Sequence, residues 1–131
     1  MGYYFHITRR KLYCDEEGPL ISIEEWKSLV EADPELSFRD ERDPLTAIWS
    51  GISKWPDPWF SYSERYGYID TKNPDTPIIA KMLQMAKLLN AKVQGDDGET
   101  YITPTEHYDE DDGAPTQNVY RPWWKRLLGL K

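Results

Sequence analysis

The chain has 131 residues, with 16 Lys and Arg against 23 Asp and Glu and a formal net charge of −7. That length fits one ordinary domain, and no stretch approaches the roughly 18 consecutive apolar residues of a membrane-spanning helix. All four basic residues of the last eleven positions (Arg121, Lys125, Arg126, Lys131) follow the last acid, Asp112, so residues 1–120 carry 12 − 23 = −11. Such a body repels nucleic acid and favours basic partners.

Apolar content is a modest 39%, but six Trp, nine Tyr and three Phe supply large side chains, each covering roughly 150–250 Å² when buried. The start, MGYYFHITRRK, places its basic cluster after a short apolar run. It therefore lacks the order of a secretory signal, and a cytoplasmic protein is expected. A single cysteine, Cys14, excludes an internal disulfide framework and a C-x-x-C pair.

In chain order, YYFHIT at residues 3–8 alternates with period two and predicts a strand, with Tyr3, Phe5 and Ile7 on one face and Tyr4, His6 and Thr8 on the other. Gly18-Pro19 closes the loop that follows. Ser22 and Glu25 then form an S-x-x-E capping box, with Ile21 and Trp26 at the two positions of a hydrophobic staple. Ile23, Trp26, Leu29 and Val30 make one apolar stripe, and Asp33-Pro34 stops the helix. Trp26 reads as a core anchor.

Residues 35–44 are charged and contain Pro44, which predicts a surface connection. TAIWSGIS reads as a short strand, and KWPDPW after it cannot continue a ladder, because Pro56 and Pro58 lack donors and fix φ. FSYS and the run around Tyr66–Ile69 predict a hairpin turning near residues 63–65. Thr76 as N-cap and Pro77 in the first turn open a second helix, IIAKMLQMAKLLN, whose methionines are expected in the core. AKVQ and ETYI flank Gly95-Asp96-Asp97-Gly98 as a second hairpin.

The expected fold is α+β: an antiparallel sheet of five or six strands with two helices on one face. Three segments are expected, a single domain over 1–103, an acidic irregular segment over 104–120 and a basic aromatic tail over 121–131.

No catalytic or metal motif stands out. His6 and His107 form no H-x-x-x-H spacing, the acids around Asp109–Asp112 lack calcium-loop spacing, and GDDG lacks the lysine and hydroxyl of a phosphate loop. The expectation is no enzyme, no cofactor and no metal. Trp55 and Trp59, stiffened by the prolines, either cover the end of the sheet or present aromatic faces to a partner at little entropic cost.

The pieces Gly2-Tyr3 with HITR at 6–9, ISIEEW, DPEL, WFSY, TKNPD and KVQGDDGE resemble those of a group of small bacterial proteins, and they spread over residues 2–99. Such proteins are associated with loci encoding polymorphic toxins, whose small acidic partners serve as immunity proteins. The resemblance implies a protein that binds a cognate toxin domain stoichiometrically. Its expected contacts are Trp55, Trp59, Asp96, Asp97, Asp109, Glu110, Asp111 and Asp112. A small enzyme or ligand-binding domain is the alternative, and a peripheral membrane adaptor using the tail is another.

In the tail RPWWKRLLGLK, Trp123, Trp124, Leu127 and Leu128 recur at i, i+1, i+4 and i+5, with Lys125 and Arg126 on another side. A segment this short needs a surface to fold against. Its own acidic body, a protein partner and a membrane interface are the three candidates, and Trp123, Trp124, Lys125 and Arg126 are the contact residues in each.

Overall fold

The computed structural model describes residues 2–109. They form β1 (Tyr4–Thr8), α1 (Ile23–Ala32), β2 (Leu36–Asp40), β3 (Asp43–Trp49), β4 (Trp59–Ser63), β5 (Tyr68–Lys72), α2 (Thr76–Leu88), β6 (Lys92–Gly95), β7 (Glu99–Thr103) and β8 (Glu106–Asp109). The strands make one antiparallel sheet in the order β2-β3-β4-β5-β1-β6-β7-β8. The first strand is thus central, because α2 carries the chain from β5 on one side of β1 to β6 on the other.

The fold is α+β with an antiparallel sheet and two helices, but the sheet has eight strands, not five or six. The two additional strands are its edges. β2 lies in the stretch expected to be a surface connection, and β8 begins two residues into the segment expected to be irregular from residue 104. An edge strand needs only one ladder, and charge along it discourages pairing with another chain, so LSFRD and EHYD carry the polarity of loops. Residues 110–120 and the tail 121–131 lie outside the described residues.

Period-two alternation assigns the two faces. The register sets Phe5 opposite Thr71 and Gly95, Ile7 opposite Ile69 and Val93, Tyr62 opposite Ile69, and Ala47 opposite Phe60. These apolar positions join Trp26, Leu29 and Val30 of α1 and Ile78, Met82 and Met85 of α2 in one core cluster. The other face carries His6, Asp70, Ser61, Thr46, Gln94 and Thr100. Trp26 is fully buried, as expected of a core anchor, and its indole N–H donates to Leu45 O at 3.1 Å.

Both helix starts are set locally. Ser22 and Glu25 make the reciprocal capping box, and Asp33 ends α1 in an extended conformation. In α2 the N-cap is Asp75 rather than Thr76, its carboxylate accepting from Ile78 N–H at 3.3 Å; Thr76 is the first helical residue. A carboxylate beside exposed N–H groups is the better cap, and the shift leaves Pro77 still in the first turn.

Two charged side chains tie the layers together. Arg9, just past β1, donates to both Glu25 oxygens (2.9 and 2.7 Å) and to Leu89 O, linking the sheet to the start of α1 and the end of α2. That pairing holds the Glu25 carboxyl down at about 2. Lys81 of α2 is buried and reaches Asp33 at 2.6 Å and Glu35 at 2.8 Å.

Candidate functional site

Antiparallel pairing gathers separate pieces of sequence at one end of the sheet. Tyr4 pairs with Lys72, Phe5 with Gly95, Leu36 with Trp49 and Glu99 with Asp109. The start of β1, the β3–β4 loop, the end of β5, the β6–β7 turn and the end of β8 therefore lie side by side. Trp55, Trp59, Asp96 and Asp97, read from sequence as scattered contact candidates, all belong to this end, as does the backbone of Asp109.

The β3–β4 loop is the most exposed apolar feature there. Ile52 is 88% exposed and Trp55 42%, whereas Pro58 is buried and Trp59 half-buried. The loop is nevertheless fixed. Ser53 Oγ and Lys54 N–H donate to Asp75 Oδ2 at 2.9 and 2.8 Å, Trp55 N–H donates to Ser53 Oγ at 3.0 Å, and Trp49 N–H closes the base on Pro58 O at 2.8 Å. The Trp55 indole N–H donates to Asn73 O at 2.8 Å, and Lys54 Nζ sits 5.0 Å from its ring centroid. Held this way, the aromatic face loses little conformational freedom when something packs on it.

Between the two tryptophans lies a cleft of about 340 Å³, lined by Pro56, Asp57, Thr71, Lys72, Asn73 and Ile78 as well. Asp57 and Asn73 both have φ of 49°, and they are two of the three described non-glycine residues in the left-handed region. Each costs on the order of 1 kcal/mol, least for Asp and Asn among side-chain-bearing residues. The strain at Asn73 is held by its pairing with Tyr3: Tyr3 N–H donates to Asn73 Oδ1 at 2.9 Å, and Asn73 N–H donates back to Tyr3 O at 2.8 Å.

Tyr3 carries the connection to the acidic turn. Its hydroxyl accepts from Asp97 N–H at 3.1 Å and donates to Glu99 Oε2 at 2.6 Å, where Tyr101 OH also donates at 3.0 Å. Burial and then the Glu99 hydrogen bond push both phenols above their usual range. Glu99 itself is buried, and its Oε1 has no hydrogen-bond partner among the described residues. Asp97 is exposed, but Asp96 is largely committed: its side chain is 30% exposed, Oδ2 accepts from Tyr4 N–H at 2.8 Å and Oδ1 lies 3.8 Å from His6 Nε2.

The polar face of the sheet holds a further titratable cluster. His6 is buried with Tyr13 stacked on it, centroids 3.7 Å apart and planes 8° from parallel. Burial pulls the imidazole below its ordinary range, while burial and then the nearby Asp96 charge push Asp70 up to about 6. Tyr13 is anchored through its N–H to Gln94 Oε1 at 2.7 Å and its hydroxyl to Asp96 O at 2.9 Å. The stack covers the imidazole, so His6 is placed to hold the β1–α1 loop rather than to meet a substrate.

Among the described residues, no group of three or more His, Cys, Asp or Glu is arranged to hold a metal ion, and no helix is long and apolar enough to cross a membrane. Cys14 is exposed. Glu110, Asp111, Asp112, Trp123, Trp124, Lys125 and Arg126 lie outside the described residues, as does the side chain of Asp109.

Sequence reasoning did not single out Ile52, Tyr3, Asn73 or Asp75. Asn73-Pro74-Asp75-Thr76-Pro77 carried a usable signal, since Asn-Pro marks a turn and Asp three residues before Ile78 stands where an N-cap belongs. Comparison with protein-family models, with curated proteins and with solved structures finds no match in any of the three.

Proposed function

We propose that this protein is an immunity-type binding protein, which neutralises a bacterial toxin domain by forming a stoichiometric complex with it in the cytoplasm. Its contact surface is the sheet end, with Ile52, Trp55 and Trp59 as apolar anchors and Asp97 farther along the same end, beyond β5 and β1. The observation that carries this reading is the pinned β3–β4 loop, which keeps Ile52 88% and Trp55 42% exposed. Large apolar side chains held in water by a hydrogen-bond frame fit an interaction site better than a loose connection.

Charge supports the same reading. With −11 over residues 1–120, the body attracts a basic partner and speeds its docking, as suits a toxin that itself acts on nucleic acid. Inhibition works by occupancy of the toxin, without catalysis or a cofactor, and serves in interbacterial competition. The sequence resemblance supports the class of partner, and the exposed loop supports the place of contact.

A ligand-binding domain is the second reading, favoured by the Trp55–Trp59 cleft, whose volume of about 340 Å³ falls at the small end of the roughly 300–1,000 Å³ typical of small-molecule sites. Co-expression with the product of the adjacent gene, which this reading expects to be the toxin, separates the two. Protection and a 1:1 complex that Trp55→Ala weakens establish the first reading; no complex and no protection overturn it.

A further inference from the structure

A second apolar surface lies on the helix layer, away from the sheet end. Leu29 and Ala32 of α1 and Leu88 and Leu89 at the close of α2 line a groove between the helices, with Glu24, Glu25 and Ser28 along its α1 side. Leu88 is 67% exposed there. Glu25 is already answered by Arg9, but Glu24 is exposed, and exposed Glu31 follows Ser28 at i+3 on the same stripe of α1. No Lys or Arg side chain lines the groove.

We propose that this groove is the docking surface for the chain's own C-terminal segment, residues 121–131. The match is chemical first. The sequence spacing of Trp123, Trp124, Leu127 and Leu128 is that of one face of a helix, with Lys125 and Arg126 between them in sequence, and an amphipathic helix lays such a face into an apolar groove while its cations meet the rim acids. Reach allows it. From Asp109 to Trp123 is 123 − 109 = 14 residues, about 46 Å when extended, whereas the 13 residues of α2 span about 20 Å. Tethering also favours it over a separate partner, because a linked segment meets the groove at an effective concentration in the millimolar range.

Nothing in this inference depends on a toxin or on the sheet-end loop, and its test reads neither. In the full chain, Cys14→Ser with Lys131→Cys allows a nitroxide label at the C-terminus. Amide signals of Ser28, Leu29, Ala32, Leu88 and Leu89 are expected to lose more than half their intensity at micromolar protein. A mixture of isotope-labelled chain without nitroxide and unlabelled chain carrying it is expected to show no loss. Glu24→Lys with Glu31→Lys abolishes the broadening, and adding Lys125→Glu with Arg126→Glu restores it. Broadening centred on other residues, seen only between separate chains, induced only by anionic phospholipid vesicles, or indifferent to the charge reversals overturns the proposal. Retained chemical-shift dispersion in each variant shows that the domain has stayed folded.

Discussion

Asp75 accepts from Ser53 Oγ at 2.9 Å with one carboxylate oxygen while the other caps α2 through Ile78 N–H at 3.3 Å. One side chain thus starts a helix and anchors the loop that presents Ile52 and Trp55. These hydrogen bonds, against an opposing burial effect, hold the Asp75 carboxyl below its usual range.

Asp75→Ala removes both functions. The expected loss is about 1–2 kcal/mol of folding stability from the cap, measured by urea denaturation at pH 7, with faster amide hydrogen exchange at Lys54 and Trp55. Because the folded-state pKa is depressed, the Asp75 contribution is complete above the unfolded value of about 3.9 and is lost as pH falls through the folded value. Wild type and variant should therefore converge in stability at low pH. Unchanged exchange in the loop would show that Asp75 does not hold it.

Asp70 has the opposite sign. Its pKa of about 6 lies above the unfolded value of about 3.9, so the folded state binds more protons between those values and this residue's contribution to stability falls as pH rises through that window. Asp70→Asn is expected to stabilise the protein at pH 7.5, by on the order of 1–2 kcal/mol after allowing for partial solvation, and to make little difference at pH 4. His6 opposes it in wild type: a lowered imidazole pKa favours the fold above the unfolded value of about 6.5, and that stability is lost as pH falls. Denaturation midpoints of wild type and Asp70→Asn between pH 4 and 7.5 separate the two. A stability difference that does not change with pH would contradict the assignment.

Gly95 is needed for close approach. A Cβ there would lie 2.2 Å from Glu99 Oε2, the oxygen that receives both tyrosine hydroxyls. Gly95→Ala is expected to displace the Glu99 carboxylate and cost about 2 kcal/mol or more, as overpacking with loss of buried hydrogen bonds does. The phenol resonances of Tyr3 and Tyr101 should shift with it; a variant as stable as wild type with both resonances unmoved would rule this out.

Much of the fold was legible because local and global signals agreed. The Ser22–Glu25 box, the Asp33 stop, the buried Met82 and Met85, and six of the strands are all written in local periodicity or capping. The edges β2 and β8 were not, since a strand with one free side carries the charge of a loop. The site was half legible. Two prolines between Trp55 and Trp59 announced a stiff aromatic loop, but its frame comes from Asp75 and Asn73, which reach it only through strand pairing. Likewise Asp96 read as a free turn acid, and folding brings Tyr4 N–H and His6 onto it.

The pinned loop is the contact surface proposed here for a toxin domain. The test is calorimetric titration of the purified toxin domain with the 131-residue chain, using wild type, Ile52→Glu and Trp55→Ala, with Leu88→Ser as a control on the helix layer. The expected result is a 1:1 complex with wild type, binding weakened about thirtyfold or more by either loop substitution, which corresponds to the roughly 2 kcal/mol of an interface anchor, and the control within about twofold of wild type. Undiminished binding by both loop variants, or no binding by wild type, would contradict it.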